Sequence, residues 1–497
     1  MDFSYLSAII FLPLAGALII ALVPGISPRL TRYIAAFFTL IPLGIAVFLF
    51  ADFDRSASMA GVMQFEESLS WIPAISANYH LGVDGLSLPL LLLTTLLGFI
   101  VVLVSWKINL RVRQYFFWLL LLETSILGVF CSLDLLLFFV FWEIEIIPMY
   151  FLISIWGSGR KEYSAMKYAL YTLFGSALML VGILSLYFAT DSLNMVHISQ
   201  NGLAAAQAVM PATPIFFLLL TGFAVKLPVF PLHTWLPDAH TDAPTAASVM
   251  LAGALIKMGG YGMIRVCVSI FPQTAQHYAP LLLTLATISI IYGAAVTLRQ
   301  SDIKRLIAYS SISHMGFVLL GIFALSELSL VGAGLQMFSH GIITGLLFAV
   351  TGIIMHNTGE RNINNLDGLA HQIPAIAVIF ILGGLGAIAL PSTSGFVAEV
   401  SIFLGAFSST AVNGVNIFAF ICLLGIVLVA AYILWLVQRV FFGPAVSRFN
   451  TALDADKTEI IYCSILIIIM FVVGVYPMIL TDVFKMGISP IAAFFGG

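Results

Sequence analysis

Runs of some twenty apolar residues, broken at short intervals by polar clusters, recur along the whole chain. A helix needs about 20 mostly apolar residues to cross the hydrocarbon core of a bilayer. Taking the polar clusters as loops predicts helices near 5–23, 32–50, 85–105, 112–131, 134–155, 163–188, 213–231, 245–270, 277–297, 303–325, 330–355, 372–407, 414–441 and 457–479. The pattern is that of an all-α polytopic membrane protein with about fourteen spans, the twelfth long enough to be interrupted. No soluble domain fits between them. The first run, "MDFSYLSAIIFLPLAGALIIALVPG", has neither a basic leading stretch nor a small-residue cleavage site, so it is expected to be a retained helix rather than a signal peptide.

Charge tests this count, because loops facing the cytoplasm are enriched in lysine and arginine. Of the twenty basic residues, fifteen fall in loops of one side, from Arg29 and Arg32 through Lys107, Arg305 and Arg361 to Lys457. Only Arg55 and Lys485 fall on the other side, and Lys226, Lys257 and Arg265 lie inside spans. An odd number of helices would scramble this separation, so both termini are expected on the outer, periplasmic side of what is read as a bacterial plasma membrane. Composition agrees: 61% of the 497 residues are hydrophobic and 9% charged, against about 25% charged in soluble domains. The net charge of −3 says little about partners, and no nucleic-acid partner is expected. Cys131, Cys267, Cys422 and Cys463 are far apart and form no CxxC pair, so no disulfide framework, zinc site or iron–sulfur cluster is expected in this chain.

Ionisable groups inside the membrane cost several kcal/mol and are functional candidates by default. Glu123 falls in helix four, Glu143 and Glu145 in helix five, Lys226 in helix seven, Lys257 in helix eight and Glu399 in helix twelve. Snorkelling does not rescue Lys226. It lies about 12 residues into its span, hence roughly 18 Å deep at ~1.5 Å per residue in a core about 30 Å thick, and its side chain reaches only about 6 Å. Lys257 and Glu143 meet the same objection. A static Glu143–Lys226 pair would lock helices without moving anything, but glutamates, lysines and histidines occur on at least six spans. Buried lysine and glutamate shift readily toward neutrality, and His314 and His340 in helices ten and eleven titrate near physiological pH unaided. Together they form a polar line through the midplane, as a proton path requires. Glu145 points to a different helical face from Glu143 and is read as structural or modulating as readily as catalytic. His233 and His240 flank Pro237 in a loop rather than sharing a helix face, so no metal site is expected there.

Transporters often carry inverted repeats whose sites form at broken helices in matching positions. Helix seven has Lys226 just before Pro228, and helix twelve has "AIALPSTSGFVAEV", with Pro391 and Gly395 before Glu399. If helices 4–8 (112–270) and 9–13 (277–441) are the repeats, the broken helix is fourth in each. A five-helix repeat also inserts in alternating orientation. Residues 1–111 then hold helices one to three, and 457–497 the last helix and a tail.

The segments "FFVFWEIEIIPMYFLISIWG" (138–157), "AVKLPVFPLHTWLPDAHTDAPTAASVMLAGALIKMGGYGMIR" (224–265), "QSDIKRLIAYSSISHMGF" (300–317) and "QMFSHGIITGLLFAVTG" (336–352) resemble the antiporter-like membrane subunits of respiratory complex I. The likeness is to the subunit M (chain 4) type and its counterpart in the photosynthetic complex, and runs from about residue 82 to about 443. It implies a proton-translocating, fourteen-helix subunit with no redox centre. FMN, iron–sulfur clusters and quinone belong to partner subunits, among them the peripheral redox arm, with L and N types as membrane neighbours. By position, Glu143 matches the family's helix-five glutamate and Lys226 its presumed partner. Lys257 matches the central lysine, Glu399 the terminal residue of the second half-channel, and His314 and His340 the connecting histidines; the role of Glu123 is less defined. Siblings of the L and N types, and Mrp-type cation/proton antiporters, usually carry lysine where Glu399 stands. The L type also ends in a lateral helix for which this chain has no room after residue 479. Glu145 leans toward the photosynthetic branch and "ETSILG" toward the respiratory one. Alternatives are a Mrp-type antiporter subunit, a ferredoxin-dependent photosynthetic complex, a membrane-bound hydrogenase, or a non-transport scaffold, which leaves the buried charges unexplained.

Overall fold

The computed structural model describes residues 4–59, 61–201 and 210–496. Every apolar run folds as a helix. Helices one to six are Tyr5–Leu22, Pro28–Asp52, Ser87–Val104, Val112–Cys131, Leu135–Trp156 and Lys161–Thr190. Helices eight to eleven are Thr245–Val268, Pro272–Leu298, Ile303–Phe323 and Glu327–Thr358, and the thirteenth and fourteenth are Val415–Phe441 and Lys457–Val475. The seventh and twelfth are broken: Ala212–Lys226 is followed by Trp235–Asp242, and Pro374–Ala387 by Ser394–Ser408. Among the described residues thirteen helices are long and apolar enough to cross a membrane; that number leaves out the two broken ones and includes a C-terminal helix.

Local signals set the ends. The Asp134 side chain accepts from Leu136 N and Leu137 N and opens helix five, and Asp302 does the same for helix ten with Lys304 N and Arg305 N, satisfying amides that a helix start leaves unpaired. The two caps belong to one motif that occurs twice. Leu135 N donates to Leu193 O (2.8 Å) and Met195 N to Leu133 O (2.9 Å); Ile303 N donates to Arg361 O (3.0 Å) and Ile363 N to Ser301 O (2.7 Å). Each member of the second set lies 168 residues after its counterpart in the first, and the two stand at opposite ends of the bundle.

Helix eight is buried along its whole apolar length, and helices ten and eleven nearly so, while helices one, two, thirteen and fourteen turn most of their surface outward. The centre of the molecule is therefore the stretch that holds Lys257.

Two elements depart from the sequence expectation. Residues 64–83 form an antiparallel hairpin, β1 Gln64–Ile72 with β2 Ala77–Val83, turned at Ser76 in the left-handed region. Its alternation is too weak to read, since β1 is largely exposed on both faces while β2 is buried at both of its ends. It ties helix ends together: Leu133 N donates to His80 O, Asn78 N to Asp134 Oδ2, and Leu6 N to Glu67 Oε1. After helix fourteen, Met478–Ala492 is a further helix rather than a tail. It packs on Gly61, Gly85 and Gly334, and its Ser489 hydroxyl donates to Glu327. These partners sit in loops or in the first turns of helix eleven at one end of the bundle, Gly334 being eight residues into that helix, so the helix lies against that end, the one poor in lysine and arginine. A Cβ on Gly85 would collide with the Val483 carbonyl oxygen. Gly85→Ala is therefore expected to cost about 1–3 kcal/mol, as overpacking does, read as a lower thermal midpoint of the detergent-solubilised protein.

Candidate functional site

The site begins where helix seven stops. Pro228 has no N–H, so the ladder fails after Lys226; the freed carbonyls are met by protein groups, Ala224 O by Val229 N (3.0 Å) and Val225 O by Trp235 Nε1 (2.9 Å). The second half-helix is held near the basic face, where Lys167 Nζ lies 2.7 Å from Asp238 Oδ2 and Ser164 Oγ donates to Asp242 Oδ2 at 2.6 Å. Lys226 itself is 1% exposed. Its Nζ donates to Glu145 Oε1, whose Oε2 accepts from the Tyr168 hydroxyl, and it faces the rings of Trp142 and Tyr168 at 5.2 and 5.7 Å.

This corrects the expected partner. Glu145, not Glu143, holds the lysine in this state. An unbroken helix would put the two carboxylates on different faces, but helix five is interrupted at Glu145 between Leu135–Ile144 and Ile146–Trp156. Pro148 explains the break: it cannot donate to the Ile144 carbonyl one turn earlier. At this interruption Glu145 is fully buried and paired with Lys226, while Glu143 is half-buried with its Oε1 unpartnered. Lys226 still bears on Glu143 electrostatically, so one cation faces two carboxylates.

Lys257 lies in the middle of helix eight, just beyond a wide π-type turn at Leu251–Leu255, a distortion common at functional sites. Its Nζ donates to Ala252 O and to His340 Nδ1, the latter at 2.7 Å. The His340 and His314 rings are 5.5 Å apart. His314 Nδ1 faces Ser310 O (2.8 Å) and its Nε2 faces Ala387 O (3.1 Å), the carbonyl at which the first half of helix twelve ends. Across that break, Glu399 shares with His314, Gln336, Ser339 and His340 a cavity of about 10 Å³, on the scale of one water. Lys257, both histidines, the break and Glu399 are thus brought into one line.

Other residues fall elsewhere. Glu123 is buried against Gly98 of helix three, its Oε1 unpartnered and no hydrogen bond joining it to the line. His233 packs against Phe230 and Tyr292, whereas His240 stacks on Phe348 with centroids 4.6 Å apart. Among the described residues no group of three or more His, Cys, Asp or Glu is placed to hold a metal. His240 is the residue that sequence reasoning passed over: it is fully buried, both its ring nitrogens are unpartnered, and Lys257, Lys304 and His340 all act on it. Its sequence signal was its place between Lys226 and Lys257, on a half-helix the loop reading concealed.

Residues 132–425, from helix five into helix thirteen, match the family described as NADH:quinone oxidoreductase/Mrp antiporter, TM. The chain belongs to this family. It is 40% identical over 495 residues to NAD(P)H-quinone oxidoreductase chain 4 1 of Synechococcus elongatus, covering 99% of this chain and 92% of that protein. It is 39% identical over 491 residues to NADH-quinone oxidoreductase subunit M of Rhodobacter capsulatus, covering 96% and 94%. Its fold superposes with a TM-score of 0.88 and 26% identity on a chain of respiratory complex I from Thermus thermophilus, covering 99% of this chain and all of that one. The resemblance to the subunit M and chain 4 type of antiporter-like subunit therefore holds across more than nine-tenths of those relatives' length.

Proposed function

We infer that this chain is the proton-translocating membrane subunit of a NADH:quinone oxidoreductase, working while quinone is reduced in partner subunits. Protons are taken up from the basic, cytoplasmic face toward Lys226, cross the midplane by Lys257, His340 and His314, and leave past Glu399. The observation that carries this reading is a line in which Lys257 hydrogen-bonds to His340, the rings of His340 and His314 lie 5.5 Å apart, and His314 reaches the carbonyl at the break of helix twelve. The switch is electrostatic. An opposite charge within about 4–6 Å favours the charged form of a lysine, so Lys226 holds its proton while paired with Glu145 and releases it toward helix eight when the pair opens.

The twofold motif at Asp134/Asn194 and Asp302/Asn362, with its constant 168-residue offset and its opposite placement in the bundle, supports reading 112–270 and 277–441 as inverted repeats. Glu143, half-buried on the flank of the bundle, is a carboxylate that lipid would not tolerate, which supports a membrane neighbour of the L or N type there. The redox chemistry, with FMN, iron–sulfur clusters and quinone, is assigned to partners, and both termini to the outer side of a bacterial plasma membrane. A cation/proton antiporter is disfavoured by Glu399, where those relatives usually carry lysine.

The test is purification of the tagged chain from its native membrane, followed by reconstitution. Flavin and iron–sulfur proteins are expected to co-purify, and NADH-driven quinone reduction to acidify one side of the vesicles. Isolation with cation antiporter subunits alone, and sodium/proton exchange without quinone reduction, would overturn the proposal.

A further inference from the structure

Lys226, Lys257 and Arg265 are the basic residues that the sequence places deep within spans rather than at their ends, and the path described uses only two. Arg265 sits on helix eight in a second wide turn, Met263–Val268, eight residues beyond Lys257 toward the basic-poor face. At ~1.5 Å per residue the two are roughly 12 Å apart along the axis. Tyr261 stands between them, its ring centroid 5.6 Å from Arg265 Cζ. The guanidinium is 7% exposed and lies 2.5 Å from Asp84 Oδ1, while its Nε has no partner. Beyond it opens a cavity of about 220 Å³, lined in part by Ser58, Ser199, Gln200 and Ser269 and by the C-terminal helix, with room for several waters at about 30 Å³ each. This vestibule lies on the outer face. Between this vestibule and Lys257 helix eight carries Arg265 and Tyr261, on a line that does not pass Glu399.

An arginine cannot serve as a step on such a route. Its guanidinium keeps its proton throughout the physiological range, and a fixed positive charge in a narrow polar passage turns protons back, as in aquaporin-type pores. Asp84 fixes that charge in place. Its Oδ1 also accepts from Leu86 N (3.1 Å) and Ser87 N (3.0 Å) at the start of helix three, so the carboxylate is anchored by backbone and cannot swing as one at a broken helix can. The carboxylate also offsets the cost of burying the cation.

We propose that the Asp84–Arg265 pair is an electrostatic seal separating the outer vestibule from Lys257, which keeps protons from returning along helix eight. The proposal rests on the reading that protons pass Lys257, but its test does not require turnover. In proteoliposomes holding the assembled complex, Arg265→Gln is expected to raise passive proton leak several-fold and to lower the gradient reached, while quinone reduction continues. Arg265→Lys and Asp84→Asn keep the cation and are expected to stay tight, although Asp84→Asn lowers the thermal midpoint. A glutamine variant as tight as the unsubstituted complex would overturn the seal. A purely structural lock between helices three and eight predicts that result, with a lower thermal midpoint and no leak. A second measurement does not depend on the stability of that variant. With a membrane-impermeant cationic thiol reagent applied from outside, Ser269→Cys is expected to react and Tyr261→Cys to stay protected. An inert Ser269→Cys removes the vestibule, and equal reaction at both removes the seal. Failure of the proton path itself shows separately, as pumping that survives loss of Lys226.

Discussion

Lys226→Ala is expected to abolish proton pumping by the assembled complex and to take coupled quinone reduction down with it. Removing a positioned acid–base group typically costs about 10²–10⁴-fold, and roughly a hundredfold is expected here because nothing replaces the lysine. The alanine variant removes the cation from a buried pair, a change that costs about 3–5 kcal/mol, and leaves Glu145 hydrogen-bonded by Tyr168, so a lower thermal midpoint is expected and assembly of the complex is measured before pumping is compared. Lys226→Arg gives the sharper result. Arginine keeps the charge and can keep the ion pair with Glu145, yet it does not release a proton near neutral pH. If Lys226 is a carrier, both variants fail to pump; if the pair is a static lock, arginine pumps normally. Acidification and quinone reduction measured together in vesicles decide between the two, and normal pumping by either variant sinks the carrier role.

Much of this was legible in the sequence because a bilayer imposes a coarse code. Length and hydropathy gave the spans, since that constraint acts on stretches of twenty residues and survives errors of two or three at each end. The broken helices were legible for a local reason: Pro228 and Pro391 cannot complete a ladder, and an ionisable residue stands beside each break. The line from Lys257 to Glu399 was legible only as a set of residue types. Which atoms meet depends on the wide turn at Leu251–Leu255 and on where helix twelve stops, and neither has a sequence signature as plain as a proline.

The elements that escaped lie outside the bilayer code or depend on a small offset within it. The hairpin at 64–83 and the helix at 478–492 lie at one face of the bundle, where no twenty-residue rule applies and where glycines such as Gly85 and Gly487 set the packing. The pairing of Lys226 was misassigned because helical periodicity was carried straight through Glu145. Pro148 marks the interruption at which Glu145 meets the lysine. His240 escaped because a buried half-helix reads as a polar loop.

The two helix-five glutamates are expected to part company when each is changed to glutamine. Glu145 is fully buried and bonded to both Lys226 and Tyr168. Taking one partner from a buried pair costs about 3–5 kcal/mol, and an amide oxygen that still accepts from the lysine recovers part of it. Glu145→Gln is therefore expected to lower the thermal midpoint clearly and to pump at reduced efficiency, because Glu143 remains to receive the lysine. Glu143 has an unpartnered carboxylate oxygen and a half-exposed position, so Glu143→Gln removes little from the resting structure and the midpoint should hold. Pumping should nevertheless collapse, because with Glu145 as the only carboxylate the lysine has no second position to move to and the switch is frozen in the state seen here. Thermal midpoints of the purified complex, set beside acidification rates in vesicles, test both halves. Full pumping by Glu143→Gln would leave Glu145 as the sole working partner and reduce Glu143 to a contact with the neighbouring subunit.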